Sequence, residues 1–379
     1  MLLSRRALGL SAITSASVAA VTAQSGSVQS LDCDWDDSDS LHGGLRPSPL
    51  VELKCLSKEL GCRVVVKCEH LHPGGSVKDR AAHFLLASVE ASGALKPGGT
   101  VVQPSGGNTG ISLAMLCAAK GYKAHITIPE NISPNKIALL RMFGADVTIC
   151  KCVPFSDPTH YAHMAKTICD STPGAVLPDQ FENTNNARAH FETTGPELWR
   201  QSGGCVDAFV CSAGTGGTIA GMSRYLHSVN PKAACYLIDP TGSGLKSFVE
   251  TGVFAGAGDC FIDGIGIMRE TANFRTAQVD GAFRGTDREA VEMAYWLLRN
   301  EGLWVGPSAA LNVIGAVKLA RHLKLQGHQT VATIICDGGD RYSATTFDAQ
   351  WQREKGLVPT ATGTGLDFVQ PPDATALRR

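Results

Sequence analysis

Three glycine-rich turns carry the residues that could do chemistry. In His72-Pro73-Gly74-Gly75-Ser76-Val77-Lys78-Asp79-Arg80, a lysine follows a glycine turn and opens an apolar stretch of helical period. The positive end of a helix dipole disfavours an ammonium, which biases Lys78 towards a nucleophilic amine. A solvated surface lysine is the plainer reading. Gly214-Thr215-Gly216-Gly217-Thr218 lies between the apolar run AFVCSA and the helical stretch IAGMSRYLH. Its glycines let consecutive amides converge on one anion, and Thr215 and Thr218 add hydroxyls, so the turn reads as a phosphate cradle. Ser105-Gly106-Gly107-Asn108-Thr109-Gly110 follows GTVVQ and opens another helix. Its amides and polar side chains suit a small carboxylate, or simply cap a helix.

A nucleophilic lysine with a dedicated phosphate site is the minimum equipment for pyridoxal phosphate. Other chemistries are poorly supplied. The chain has no GxGxxG, no Gly-Lys dipeptide of a Walker loop, no HExxH and no GxSxG. Neither the 11 histidines nor the 13 cysteines show metal-ligand spacing, so no metal site is expected. Cys117, Cys211 and Cys336 sit in apolar runs and read as reduced core thiols, which implies a reducing compartment. With 34 basic and 35 acidic residues the net charge is −1, giving no electrostatic reason to bind nucleic acid.

The surrounding elements must position these turns. Short β-branched runs alternate with longer Ala/Leu-rich stretches from about Leu45 to Phe347, which predicts βαβ units and mostly parallel sheets. The turns fall between predicted strands and helices, where open parallel sheets bind ligands. Residues 1–45 read as a targeting or disordered segment, 46–180 as an α/β domain with Lys78 and the substrate loop, and 181–350 as an α/β domain with the phosphate loop. Residues 351–379 read as a peripheral, loosely ordered tail. Residues 1–31 contain no acid, carry Arg5 and Arg6, and are rich in Ala, Ser and Thr. An organellar transit peptide, mitochondrial for instance, is favoured over a secretory signal, a membrane anchor at residues 7–23, or a cytoplasmic chain.

The motifs together resemble the cysteine synthase and cystathionine β-synthase family of the tryptophan-synthase-β fold type. HPGGSVKDRAA, SGGNTG, GTGGT, QFENTNNARAHFETTGPELW, DGIGIMRETANF, VGPSAALN and ICDGGDRYSATTF follow in that family's order, over about residues 46–347. The resemblance implies two three-layer α/β domains with twisted sheets and the cofactor between them. It implies that Lys78 forms the internal aldimine, Asn108 meets the cofactor's 3′-oxygen, and Gly214, Thr215, Gly216, Gly217 and Thr218 hold the phosphate. Ser308 would face the pyridine nitrogen; locally it also reads as a helix N-cap. Ser105, Gly106, Asn108, Thr109 and Gln180 would form the substrate-carboxylate site.

The implied activity is cysteine formation from O-acetylserine, or a related activated serine, and sulfide through an aminoacrylate. Cystathionine β-synthase activity, β-elimination of the desulfhydrase or dehydratase kind, and a non-catalytic cofactor- or partner-binding protein are the alternatives. A homodimer and a serine acetyltransferase partner are implied as well. Three positions depart from the family pattern: His72 for asparagine, Gly106 for a small side chain, and Met268-Arg269-Glu270 after Gly264-Ile265-Gly266. The last arrangement resembles a cysteine-synthase-like, often organellar, branch.

Overall fold

Leu50–Glu52 (β1) and Arg63–Cys68 (β2) pair antiparallel at one edge of a six-stranded sheet. The computed structural model describes residues 45–105 and 107–373. The targeting segment, the 7–23 stretch, Gly106 and residues 374–379 therefore lie outside the described residues. Two further strands are Thr100–Pro104 (β3) and Lys123–Pro129 (β4), and a third is Asp146–Cys150 (β5). The C-terminal half adds Ala208–Cys211 (β6), Ala234–Pro240 (β7), Gly281–Gly285 (β8) and Thr330–Ile335 (β9). The large sheet runs β1-β2-β9-β6-β7-β8 and the small one β3-β4-β5. Every pairing except β1–β2 is parallel.

The sequence explains why these runs are central strands. Every residue of β6 and β9 is buried, as are Val64, Val65 and Val66 of β2. Strands covered on both faces need continuous apolar runs rather than alternation. One cover is the helix Pro307–Leu323, buried from Pro307 through Ala320 and packed on β6, β7 and β9. Helix Asp287–Asn300 packs on it in turn; its start is fixed by a capping box between Thr286 and Glu289. Helices Lys78–Ala91 and Asn108–Lys120 pack together beside the small sheet.

The sheets do not follow chain order. β1 and β2 precede Lys78 but join strands of the C-terminal half, so the small sheet is an insertion into the large one. The tail differs from expectation for a clear reason. Leu366 and Val369 are buried in the main core, and buried Glu292 accepts bonds from the amides of Thr360 and Ala361. Apolar anchors and a buried carboxylate hold this segment in place. All described residues belong to one compact unit.

Candidate active site

The C-terminal ends of β3, β6 and β9 and the start of the Lys78 helix open on one cleft of about 460 Å³. Lys78, Ser105, Asn108, Thr109, Gln180, Gly214, Thr215 and Ser308 line it together. Gly216 and Thr218 line a smaller cavity beside Lys78, and Gly217 begins the helix Gly217–Val229 behind them. Gly106 is outside the described residues.

Lys78 is the first residue of its helix, and its amide donates to Ser76 Oγ at 3.3 Å. A closed ionic cluster lies close by. Arg80 donates to Glu69 Oε2 at 2.6 Å and to Glu197 Oε1 at 2.7 Å, while Lys67 Nζ donates to Glu197 Oε2 at 2.7 Å. Burial works against ionisation of Glu69, but Arg80 and His72 outweigh it and hold its pKa well below the usual range. Glu197 is likewise opposed by burial and held below its ordinary value by Arg80 and Lys67. His72, the departure from asparagine, places Nε2 at 3.2 Å from Glu69 Oε2. It belongs to this cluster.

The substrate turn is held from within and from across the cleft. Ser105 Oγ accepts the amides of Gly107 and Gly110 at 3.1 and 2.9 Å. Thr109 donates to Gln180 Oε1 at 2.6 Å, and Gln180 Nε2 donates to the Pro104 carbonyl. Asn108 donates to Asp337 Oδ2 at 2.7 Å and accepts from Arg341, which leaves one Nδ2 hydrogen for a ligand. Gly107 has a φ of +133° and lies against Lys136; a Cβ there would stand 2.7 Å from Lys136 Cδ.

The phosphate turn is braced by backbone. Gly216 has a φ of +84°, and a Cβ on it would stand 2.6 Å from Phe274 Cα. Thr215 Oγ1 accepts from Asn186, and Thr271 donates to the Thr215 carbonyl. Ser212 Oγ, in the smaller cavity, is buried without a partner. A buried hydroxyl of this kind calls for a ligand. With the crowded glycines and Lys78 at hand, these residues fit pyridoxal phosphate.

Ser308 is not the N-cap of its helix. Gly306 is the cap, Pro307 starts the helix and Ser308 follows it, facing the cleft. Cys336, read as core, lines the cleft beside Ser308, and Asn312 Nδ2 lies 3.2 Å from its sulfur. Burial pushes this thiol's pKa up to about 12.

Sequence reasoning missed Lys136 and Asp263. Lys136, 1% exposed, donates to Asp263 Oδ2 at 3.0 Å and to Tyr342 Oη at 3.2 Å. Both residues line the cleft. The mouth is formed partly by Phe155, Tyr161, Phe181 and Arg269. The Arg269 guanidinium lies over the Phe155 and Phe181 rings and donates to Glu182 at 2.6 Å. Of these, Phe181 and Asp263 lie in quoted motifs without being marked as site residues, and Arg269 stood out as a departure from the family pattern.

Comparison with known proteins gives a consistent result. The pyridoxal-phosphate dependent enzyme family matches residues 41–337. A cysteine synthase of Dictyostelium discoideum is 44% identical over 333 residues, covering 85% of this chain and 87% of its own. Cysteine synthase 1 of Emericella nidulans is 45% identical over 315 residues, covering 82% and 85%. The crystal structure of an O-acetylserine dependent cystathionine beta-synthase from Helicobacter pylori superposes with a TM-score of 0.72 at 30% identity, over 81% of this chain and 97% of that one. A lysine at a helix head, a phosphate turn braced by backbone and a match over most of the sequence converge: this chain belongs to the family of pyridoxal-phosphate-dependent enzymes.

Proposed function

We propose that the chain forms L-cysteine from O-acetyl-L-serine and sulfide, by replacement at the β-carbon. The observation that carries this reading is the convergence of Lys78, the Gly214–Thr218 turn and the Ser105–Thr109 turn on one cleft. Pyridoxal phosphate supplies, when bound, a conjugated ring that takes up electron density from the substrate's α-carbon. Amides of Gly214, Gly216 and Gly217 and the hydroxyls of Thr215 and Thr218 would bind its phosphate. Ser308 would offer the ring nitrogen a neutral partner, and the remaining Nδ2 hydrogen of Asn108 would be available to the ring oxygen.

Ser105, Thr109 and Gln180 hold the substrate carboxylate, with Gly106 as the position that tunes substrate choice. Lys78 would hold the cofactor through its side-chain amine, and the same amine, when free, would take the proton from the substrate's α-carbon. Acetate leaves from the β-carbon and sulfide adds there. The aromatic mouth around Phe155, Tyr161 and Phe181 favours one second reading, in which a bulkier thiol replaces sulfide, as in cystathionine formation.

The test is purified protein supplied with O-acetylserine, O-phosphoserine or serine, each with sulfide or homocysteine. Wild type should be yellow and release cysteine with O-acetylserine and sulfide. Lys78→Ala should lose both properties. No sulfide-dependent turnover at saturating cofactor would overturn the reading. No helix among the described residues is long and apolar enough to cross a membrane. Import of residues 1–31 into an organelle, a homodimer and a serine acetyltransferase partner complete the proposal; fractionation and sedimentation with and without that partner test them.

A further inference from the structure

Behind the phosphate turn runs a segment of which the site so far includes only Asn186. The helix Asn185–Ala189 passes into a π-turn, His190–Thr194. Such turns occur often at functional sites. Asn186 and His190 are four residues apart, so they share a face, and both are buried. Asn186 Nδ2 donates to the Gln180 carbonyl at 2.9 Å, which fixes the amide's orientation, and to Thr215 Oγ1 at 3.0 Å. His190 Nε2 lies 3.2 Å from Thr218 Oγ1, and its Nδ1 lies 2.9 Å from Thr194 Oγ1. Gly221 permits this close approach, since a Cβ there would stand 2.6 Å from His190 Cβ.

Burial pushes the His190 pKa down to about 3, so the ring is neutral and carries one N–H. Two arrangements satisfy it. In one, Thr218 gives its only hydroxyl hydrogen to Nε2 and turns lone pairs towards the anion. In the other, Thr194 donates to Nδ1, Nε2–H donates to Thr218, and the Thr218 hydrogen remains for the anion. Asn186 already imposes the second pattern on Thr215. An anion in the turn selects the same pattern at Thr218.

We infer that Asn186 and His190 are positioning residues for the cofactor's phosphate: each donates a hydrogen from behind to one threonine of the turn, leaving both threonine hydroxyls to donate to the phosphate. The inference rests on the Gly214–Thr218 turn being the phosphate site.

Apoprotein is titrated with pyridoxal phosphate and with pyridoxal, which has the aldehyde but no phosphate. Wild type should bind the phosphorylated form more tightly; equal affinity would sink the phosphate-site reading itself. His190→Asn should weaken pyridoxal phosphate by roughly tenfold to a hundredfold, the worth of a hydrogen bond to a charged group, and leave pyridoxal unchanged. His190→Gln keeps an amide N–H within reach of Thr218 and should recover most of the loss. In the Thr218→Val background His190→Asn should cost nothing more, and Asn186→Ala should behave likewise with Thr215→Val. Thr194→Val leaves the ring in place and should also weaken only the phosphorylated form, which covers failure of His190→Asn to fold. The ³¹P shift of the bound cofactor should move in each weakened variant. Equal losses for both ligands, no loss, or full additivity with Thr218→Val would overturn the inference.

Discussion

The two glycine turns that face each other across the cleft are built on different principles. The phosphate turn is crowded by backbone: a Cβ on Gly214 would meet the Gly264 carbonyl, and one on Gly216 would meet Phe274 Cα. The substrate turn leans instead on side chains, chiefly Lys136 and Asp337. Backbone cannot yield, whereas a lysine chain can turn about its own bonds. The difference teaches that the invariant group of the chemistry meets a fixed wall, while the part of the site that must fit a particular substrate meets an adjustable one.

This contrast can be broken by experiment. The largest effect is expected for Gly216→Ala, which combines a φ of +84° with a Cβ 2.6 Å from Phe274 Cα. Strain and collision together should weaken cofactor binding by roughly a hundredfold or more, read by titration of apoprotein; unchanged affinity would show that the turn is not rigid. Lys136→Met removes the tie to Asp263 and Tyr342. It should raise KM for the amino-acid substrate roughly tenfold, a loss of about 1.4 kcal/mol, with cofactor affinity unchanged. Gly107→Ala meets only the flexible Lys136 chain, so despite its φ it should cost about threefold to tenfold in KM.

The smallest effect touches neither turn directly but the Lys78 helix. Glu69 and Glu197 have pKa values lower in the fold than in the unfolded chain. Their contribution is therefore complete above the ordinary glutamate pKa of about 4.3 and is lost as pH falls further. Denaturant unfolding between pH 7 and pH 3 should show stability declining only at the acid end. A flat profile would remove the ionic cluster from the account of what steadies the Lys78 helix.

The same contrast governs what could be read in the sequence. The phosphate turn is contiguous and its residue types are diagnostic, so it was legible together with Lys78 and the alternation of strands and helices. Lys136 was not legible as a site residue, because its stretch has an ordinary local pattern; Asp263, Asn186, His190 and Cys336 lie inside motifs that carry the family resemblance, but nothing in their residue types marks them as facing the site. Lys136 occupies a short helix with no sign that its amine is buried, and Cys336 reads as one more apolar residue of the strand that Asp337-Gly338-Gly339 ends. For Ser308 the plainer local reading, a helix cap, falls to Gly306, since Pro307 already starts that helix. The tail looked loose because Leu366 and Val369 are isolated apolar residues, and only the core they enter gives them weight.

The large sheet places β9, from the far end of the described chain, between β2 and β6. A ribosome therefore delivers the closing strand long after the lysine helix has emerged. Contacts of such sequence separation carry a high loop-closure cost and fold slowly. Until β9 arrives, β2 and β6 have no strand to join them, and the wall of the cleft contributed by Cys336 does not exist. A nascent chain thus holds its reactive lysine without a finished pocket around it, and competence for cofactor is gained only once β9 has been made.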